Sequence, residues 1–188
     1  MGNVHKLAGV CGRCVSADKS AERGGGRKAA AEIQIKLYGK DGENMGAEAL
    51  TLEKFEEASE IVTRVTSETK LVYSEYFSAQ TGNRVYLKPE NMQYTGAYKV
   101  RGAYYKISTM TEEERSKGLI TASAGNHAQG VAYAAKMYGC KAVIVMPVST
   151  PLMKVNRTKS YGAEVVLYGN VYDEACDHAL QLAEEKGY

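Results

Sequence analysis

Between Arg84 and Gly187 the sequence alternates short apolar runs with amphipathic stretches, and this rhythm restricts the fold more than any other feature of the chain. Arg84 to Lys88 reads as a strand, Tyr98 to Thr109 as a helix, Leu119 to Ser123 as a strand, and Asn126 to Tyr138 as a helix ended by Gly139. Ala142 to Met146 is continuously apolar, as suits a strand covered on both faces. Thr150 with Pro151 opens the next helix, and Gly162 follows its end. Glu164 to Tyr168 is then a strand, and Val171 to Lys186 a helix presenting Ala175, Ala179, Leu180, Leu182 and Ala183 before Gly187. Such alternation specifies an α/β fold, a parallel sheet with crossover helices, whose ligands bind in loops at the carboxyl ends of strands.

Composition changes along the 188 residues. Residues 1 to 44 hold Gly24-Gly25-Gly26, scattered charge of both signs and one short alternating run, Ile33 to Leu37, which is not core-forming material. From Met45 the pattern differs: Thr51 is placed to cap a helix that carries Leu52, Phe55, Ala58, Ile61, Val62 and Val65 on one face. Three segments are expected: a non-native or disordered extension over 1–44, a first folded portion over 45–90, and an α/β unit over 91–188. Met45 also stands where translation would start naturally, and intact mass of protein made from its own gene tests that. A transit peptide is the minor alternative, because Asp18, Glu22 and Glu32 are acidic.

The net charge of +2 is uneven, since residues 1 to 44 carry 8 Lys/Arg and 5 Asp/Glu and the remainder is near neutral. No basic stripe with interleaved aromatics occurs in the body, so nucleic acid is not an expected partner. No apolar run approaches the roughly 20 residues that span a bilayer, and the start lacks the apolar stretch of a secretory signal. No membrane partner and a cytoplasmic location are therefore expected. Cys11 and Cys14 form Cys-Gly-Arg-Cys, but neither a βαβ pattern nor two further ligands at metal spacing adjoin them, so no redox or metal site is expected. Cys140 and Cys176 read as small core residues of a reducing compartment.

Two segments carry candidate chemistry. In Thr95-Gly96-Ala97-Tyr98-Lys99-Val100-Arg101-Gly102-Ala103, turn residues lead into a helix whose first turn holds Lys99. A positive helix end, the nearby Arg101 and partial desolvation all favour the neutral amine that a carbonyl-attacking lysine needs. Taken alone, the segment is better served by a solvated helix lysine. In Ser123-Ala124-Gly125-Asn126-His127-Ala128-Gln129-Gly130, small residues join a strand end to a helix start, so free backbone N–H groups can approach a carboxylate or phosphate closely. The alternative is that Ser123 or Asn126 simply caps the helix. His127, at a positive helix end, suits packing or a ligand hydrogen bond better than proton transfer. His178 and His5 have no partner in the sequence pattern.

Together, in this order and about 25 residues apart, the two segments resemble the paired motifs of the fold type II pyridoxal-phosphate (PLP) enzymes, the tryptophan synthase β-like group. Leu87 to Lys106 resembles the threonine/serine dehydratase branch, and the likeness runs from about Thr51 to Tyr188. The resemblance implies that Lys99 joins PLP as an imine and later takes the substrate Cα proton. It implies that Ser123, Ala124, Gly125, Asn126 and His127 form the loop holding the substrate carboxylate, that Asn126 hydrogen-bonds the PLP 3′-oxygen, and that Tyr98 lies next to the cofactor ring. Tyr98 and Ala97 stand where many relatives have phenylalanine and serine. Residues 45–90 would then belong to the large PLP domain and 91–188 to the small one.

The implied reaction is dehydration and deamination of L-threonine, or L-serine, to 2-oxobutanoate or pyruvate and ammonia. Cysteine and threonine synthases carry a loop resembling Gly-Asn-Thr, and usually Asp where Val100 stands, unlike Gly125-Asn126-His127 here. Serine racemases are similar but use a serine at the position of Ala124 as a second acid/base, and a methyl cannot move protons. The family's phosphate-cradling glycine loop and the residue facing the pyridine nitrogen fall beyond position 188, so the C-terminal part of the catalytic domain is expected to be missing. A non-catalytic fragment exposing Phe55, Ile61 and Val62 is the competing expectation. An amino-acid substrate and, by analogy, a homo-oligomer when full length are the partners implied.

Overall fold

The computed structural model describes residues 37–38, 44–45 and 51–188. The Cys11–Cys14 pair and the rest of the 1–44 extension, apart from residues 37–38 and 44, lie outside them. Residues 59–188 form one compact unit, and the described residues before 59 belong to another. In the latter, β1 (Leu37–Tyr38) and β2 (Asn44–Met45) pair antiparallel, Leu37 opposite Met45. Thr51 opens α1 (Leu52–Val62), its hydroxyl accepting the Lys54 N–H at 3.4 Å. The apolar face expected of this helix is buried only at its end. Leu52 and Phe55 are 69% and 59% exposed, whereas Val62 and the following Val65 are buried and Ile61 packs against them.

The next elements differ from expectation. β3 (Val72–Tyr73) and β4 (Tyr86–Leu87) form an antiparallel pair flanking α2 (Glu75–Thr81), so the strand expected over Arg84 to Lys88 shrinks to two residues and stays outside the parallel sheet. The physical reason is in the partner: the edge it pairs with is Val72–Tyr73, two residues long, and Tyr73 and Tyr86 meet edge to face at 5.4 Å. A 3₁₀ turn (Glu90–Met92) leads to α3 (Lys99–Ser108) and then α4 (Glu112–Lys117). The short helix α4 was not anticipated, yet its signal is legible. Thr111 accepts the Glu114 N–H and the Glu114 carboxylate accepts the Thr111 N–H, a capping box of the Thr-x-x-Glu type.

From here the expected rhythm holds. β5 (Leu119–Ala122), α5 (Asn126–Tyr138), β6 (Ala142–Met146), α6 (Leu152–Ser160), β7 (Glu164–Leu167) and α7 (Tyr172–Lys186) follow, and the strands pair in parallel in the order β5-β6-β7. Central β6 is almost fully buried along its length because both faces are covered. Alternate residues serve opposite layers. Ala142, Ile144 and Met146 join Leu119 under α3, α5 and α6, while Val143 and Val145 join Ile120 and Ala122 under α7, which supplies Ala175, Ala179, Leu182 and Ala183. Each fully buried Val, Leu or Ile contributes about 1.5–3 kcal/mol by leaving water. Cys140 and Cys176 are half-buried at the margins of these layers rather than inside them, because the small alanines already fill the helix–sheet contact.

Candidate active site

The site begins where β5 leaves the sheet. The Ser123 N–H still donates to the Val145 carbonyl at 3.0 Å, and the chain then turns through Ala124 and Gly125 into α5. Gly125 is the N-cap residue and no side chain caps the helix; instead, the Ser123 hydroxyl accepts the Gly125 N–H at 3.3 Å. Neither Ser123 nor Asn126 therefore consumes the first N–H groups of α5, which remain a positive, ligand-ready helix start. Ser123, Ala124, Gly125 and His127 are half-buried and Asn126 is exposed.

The start of α3, which carries Lys99, packs by its backbone on α5, the helix that this loop opens. Val100, Ala103, Tyr104 and Ile107 are buried on the inner face of α3, leaving Tyr98 and Lys99 exposed at its start. The buried Thr95 hydroxyl donates to the Ala97 carbonyl, and Gly96 adopts φ 73°, a left-handed conformation that suits glycine. On α5, a Cβ at Gly130 would stand 3.1–3.2 Å from the backbone of Lys99 and Val100. The missing side chain thus brings the start of α3 directly onto α5, one turn after His127.

His127 senses this proximity. Burial first, and then the Lys99 ammonium, hold its imidazole below its ordinary pKa, so it is the neutral form that the site favours. With the folded value lowered, the stability His127 contributes is fully present above the unfolded value of about 6.5 and is lost as pH falls from there through the folded value. His127→Gln is expected to flatten this part of the pH dependence, measured as the difference in melting temperature from the parent chain at about pH 7.5 and pH 5.5. An unchanged difference would remove His127 as its source.

The expected electrostatic role of Arg101 is overturned. Its guanidinium is engaged by the Glu90 carboxylate, Nε to Oε2 at 3.0 Å and Nη2 to Oε1 at 2.8 Å, and so is not a free cation beside the amine. His178 does have a neighbour, stacking on Tyr168 with ring centroids 3.9 Å apart. Sequence reasoning missed Gln129, Lys154 and Arg157, which line a cavity of about 210 Å³ with Thr95, Gly96, Asn126 and Met153. Gln129 is buried and its Oε1 accepts no hydrogen bond. Its position on the apolar face of α5, three residues after Asn126, was the available signal. Among the described residues no cluster of His, Cys, Asp or Glu could hold a metal ion, and no helix is long and apolar enough to cross a membrane.

A family model for pyridoxal-phosphate dependent enzymes matches residues 62–188. The chain belongs to this family. An L-threonine ammonia-lyase of Thermotoga maritima is 50% identical over 138 residues, 73% of this chain and 34% of that protein. Among solved structures, the processed form of threonine deaminase isoform 2 from Solanum lycopersicum is 36% identical with a TM-score of 0.65, over 86% of this chain and 46% of its own. Maize serine racemase is 33% identical with a TM-score of 0.70, over 74% and 42%. The chain thus spans about a third of the length of the Thermotoga relative. Its residues fit the reactive end of the family's cofactor in kind: an accessible lysine and an exposed tyrosine, Tyr98, lie at the start of α3, which packs on α5, and α5 begins without a side-chain cap.

Proposed function

We propose that this chain carries the lysine-bearing part of a PLP-dependent ammonia-lyase that converts L-threonine, or L-serine, to 2-oxobutanoate, or pyruvate, and ammonia. The observation that supports the reading is the approach of α3 to α5 at Gly130, where the main chain of Lys99 and Val100 packs against the helix that follows the Ser123–Gly125 loop. PLP, when bound, supplies the electron sink for breaking bonds at Cα. Lys99 provides the amine that anchors the cofactor and moves the Cα proton. The start of α5 binds the substrate carboxylate, with Ser123 and Asn126 directing it, and Asn126 and Tyr98 orient the ring. His127, neutral, serves as a hydrogen-bonding or packing group. In this assignment residues 45–90 belong to the large domain and 91–188 to the small one, and the complete protein is a cytoplasmic homo-oligomer acting on an amino acid.

Mixing the chain with PLP, reducing with borohydride and locating the modified peptide by mass spectrometry tests the assignment. Stoichiometric labelling confined to Lys99 supports it; scattered labelling means that these 188 residues are a non-catalytic piece. The likeness to maize serine racemase favours a second reading, racemisation, against which Ala124 stands because its methyl group offers no proton to the opposite face of Cα. Ala124→Ser in a complete protein is expected to introduce measurable racemisation of L-serine, followed by chiral chromatography. Equal racemisation with alanine in place sinks the argument.

A further inference from the structure

Lys99 is an exposed residue at the very start of a helix, so its location depends on what fixes the start of α3. Gly130 fixes one side. The other side is held by Arg101, one helical step past Val100, through its two parallel hydrogen bonds to Glu90 in the preceding 3₁₀ turn. Both side chains are half-buried, 31% and 19% exposed, and the planar fork sets direction as well as distance. The same carboxylate accepts the Thr69 hydroxyl at 2.9 Å. Beside it, Gln93 binds the backbone of Ser67 twice, accepting its N–H and donating to its carbonyl, each at 2.9 Å. Thr69 is 7% exposed and holds φ 45°, a left-handed conformation that a β-branched residue keeps only when its surroundings over-determine it.

We propose that Thr69, Glu90 and Arg101 form a positioning clamp that sets the start of α3, and hence Lys99, against the Ser123–His127 loop. The clamp deepens the PLP reading and rests on it for its purpose, but not for its geometry. Its components are consistent with one another: Arg101 and then the Thr69 hydroxyl hold the Glu90 carboxyl below its ordinary pKa against the cost of burial, so the carboxylate is charged and able to accept from both. The 67–69 segment and the turn before the lysine helix thereby become one rigid support.

The imidazole of His127 reports where the Lys99 charge stands, and its titration in the 188-residue chain, followed by NMR and assigned with His127→Gln, makes the test. Lys99→Met removes the charge and is expected to raise the His127 pKa. Arg101→Lys keeps a cation but loses the fork, and Glu90→Gln keeps the shape but loses the charge. Both are expected to give most of the same rise while the chain still melts cooperatively. His127 titrating in both variants as in the parent would show that Lys99 keeps its place without the clamp, and overturn the proposal. Loss of folding in both would reduce the cluster to a structural support, and no shift with Lys99→Met would show that the two groups are not neighbours; each overturns it too. None of these readouts uses PLP, so failure of cofactor trapping at Lys99 leaves the clamp standing, and failure of the clamp leaves the trapping result untouched.

Discussion

Lys99→Ala is expected to abolish borohydride-trapped PLP on this chain and, in a complete protein carrying it, to lower turnover of threonine by roughly a thousandfold or more. The magnitude follows from the two roles proposed for this one group, anchoring the cofactor and moving the proton, and no other lysine occupies the start of α3. Fold stability is expected to change little. Lys99 is exposed and alanine has the higher helix propensity, so the substitution stays within about 0.5 kcal/mol of the parent. The measurement is peptide mapping beside a thermal melt. Undiminished trapping in a chain that melts like the parent would move the reactive amine elsewhere.

The largest expected effect on stability comes from Gly130→Val. A Cβ there meets the carbonyl carbon of Lys99 and the nitrogen of Val100 at 3.1 Å, and both are main-chain atoms that cannot turn aside. Gly130→Ala sets an overpacking cost of about 1–3 kcal/mol against a helix-propensity gain of about 1 kcal/mol, so it comes out only mildly destabilising. Valine recovers less propensity and adds two methyl groups against the same backbone, so about 3 kcal/mol is expected. For a unit of this size that lowers the melting temperature by roughly 10 °C. Gly102→Ala is the control: on α3, with open space where its Cβ would go, it is expected to stabilise by about 0.5–1 kcal/mol. Equal melting of Gly130→Val and the parent would mean that α3 does not rest on α5 in this way. A fall in Lys99 trapping alongside the melt would tie the same contact to the site.

Parts of the fold were legible because local signals and packing agree. Ala142 to Met146 forms the central strand as read, and its five consecutive apolar residues are buried because both of its faces are covered. Asn126 to Tyr138 begins and ends as read, since Gly139 takes φ 66° and closes it. Arg84 to Lys88 was misread because strand length is set by the partner, and Val72–Tyr73 offers two residues. The helix α4 escaped because six residues carry too little periodicity, although its capping box was visible.

At the site, the sequence alone determined which residue types are present and their order: a lysine opening one helix, and a small-residue loop with Asn126 and His127 opening another. Those are local facts of turn chemistry and helix entry, which read directly from spacing. The tertiary structure decided what the sequence left open. It removed the capping alternative for Ser123 and Asn126, turned Arg101 from a neighbour of the amine into the partner of Glu90, and buried Gln129 with an unmet acceptor. The physical reason is common to all three. Whether a polar side chain is free, paired or buried depends on how the folded chain arranges its neighbours in space, and the close contact at Gly130 exists only because two helices meet there.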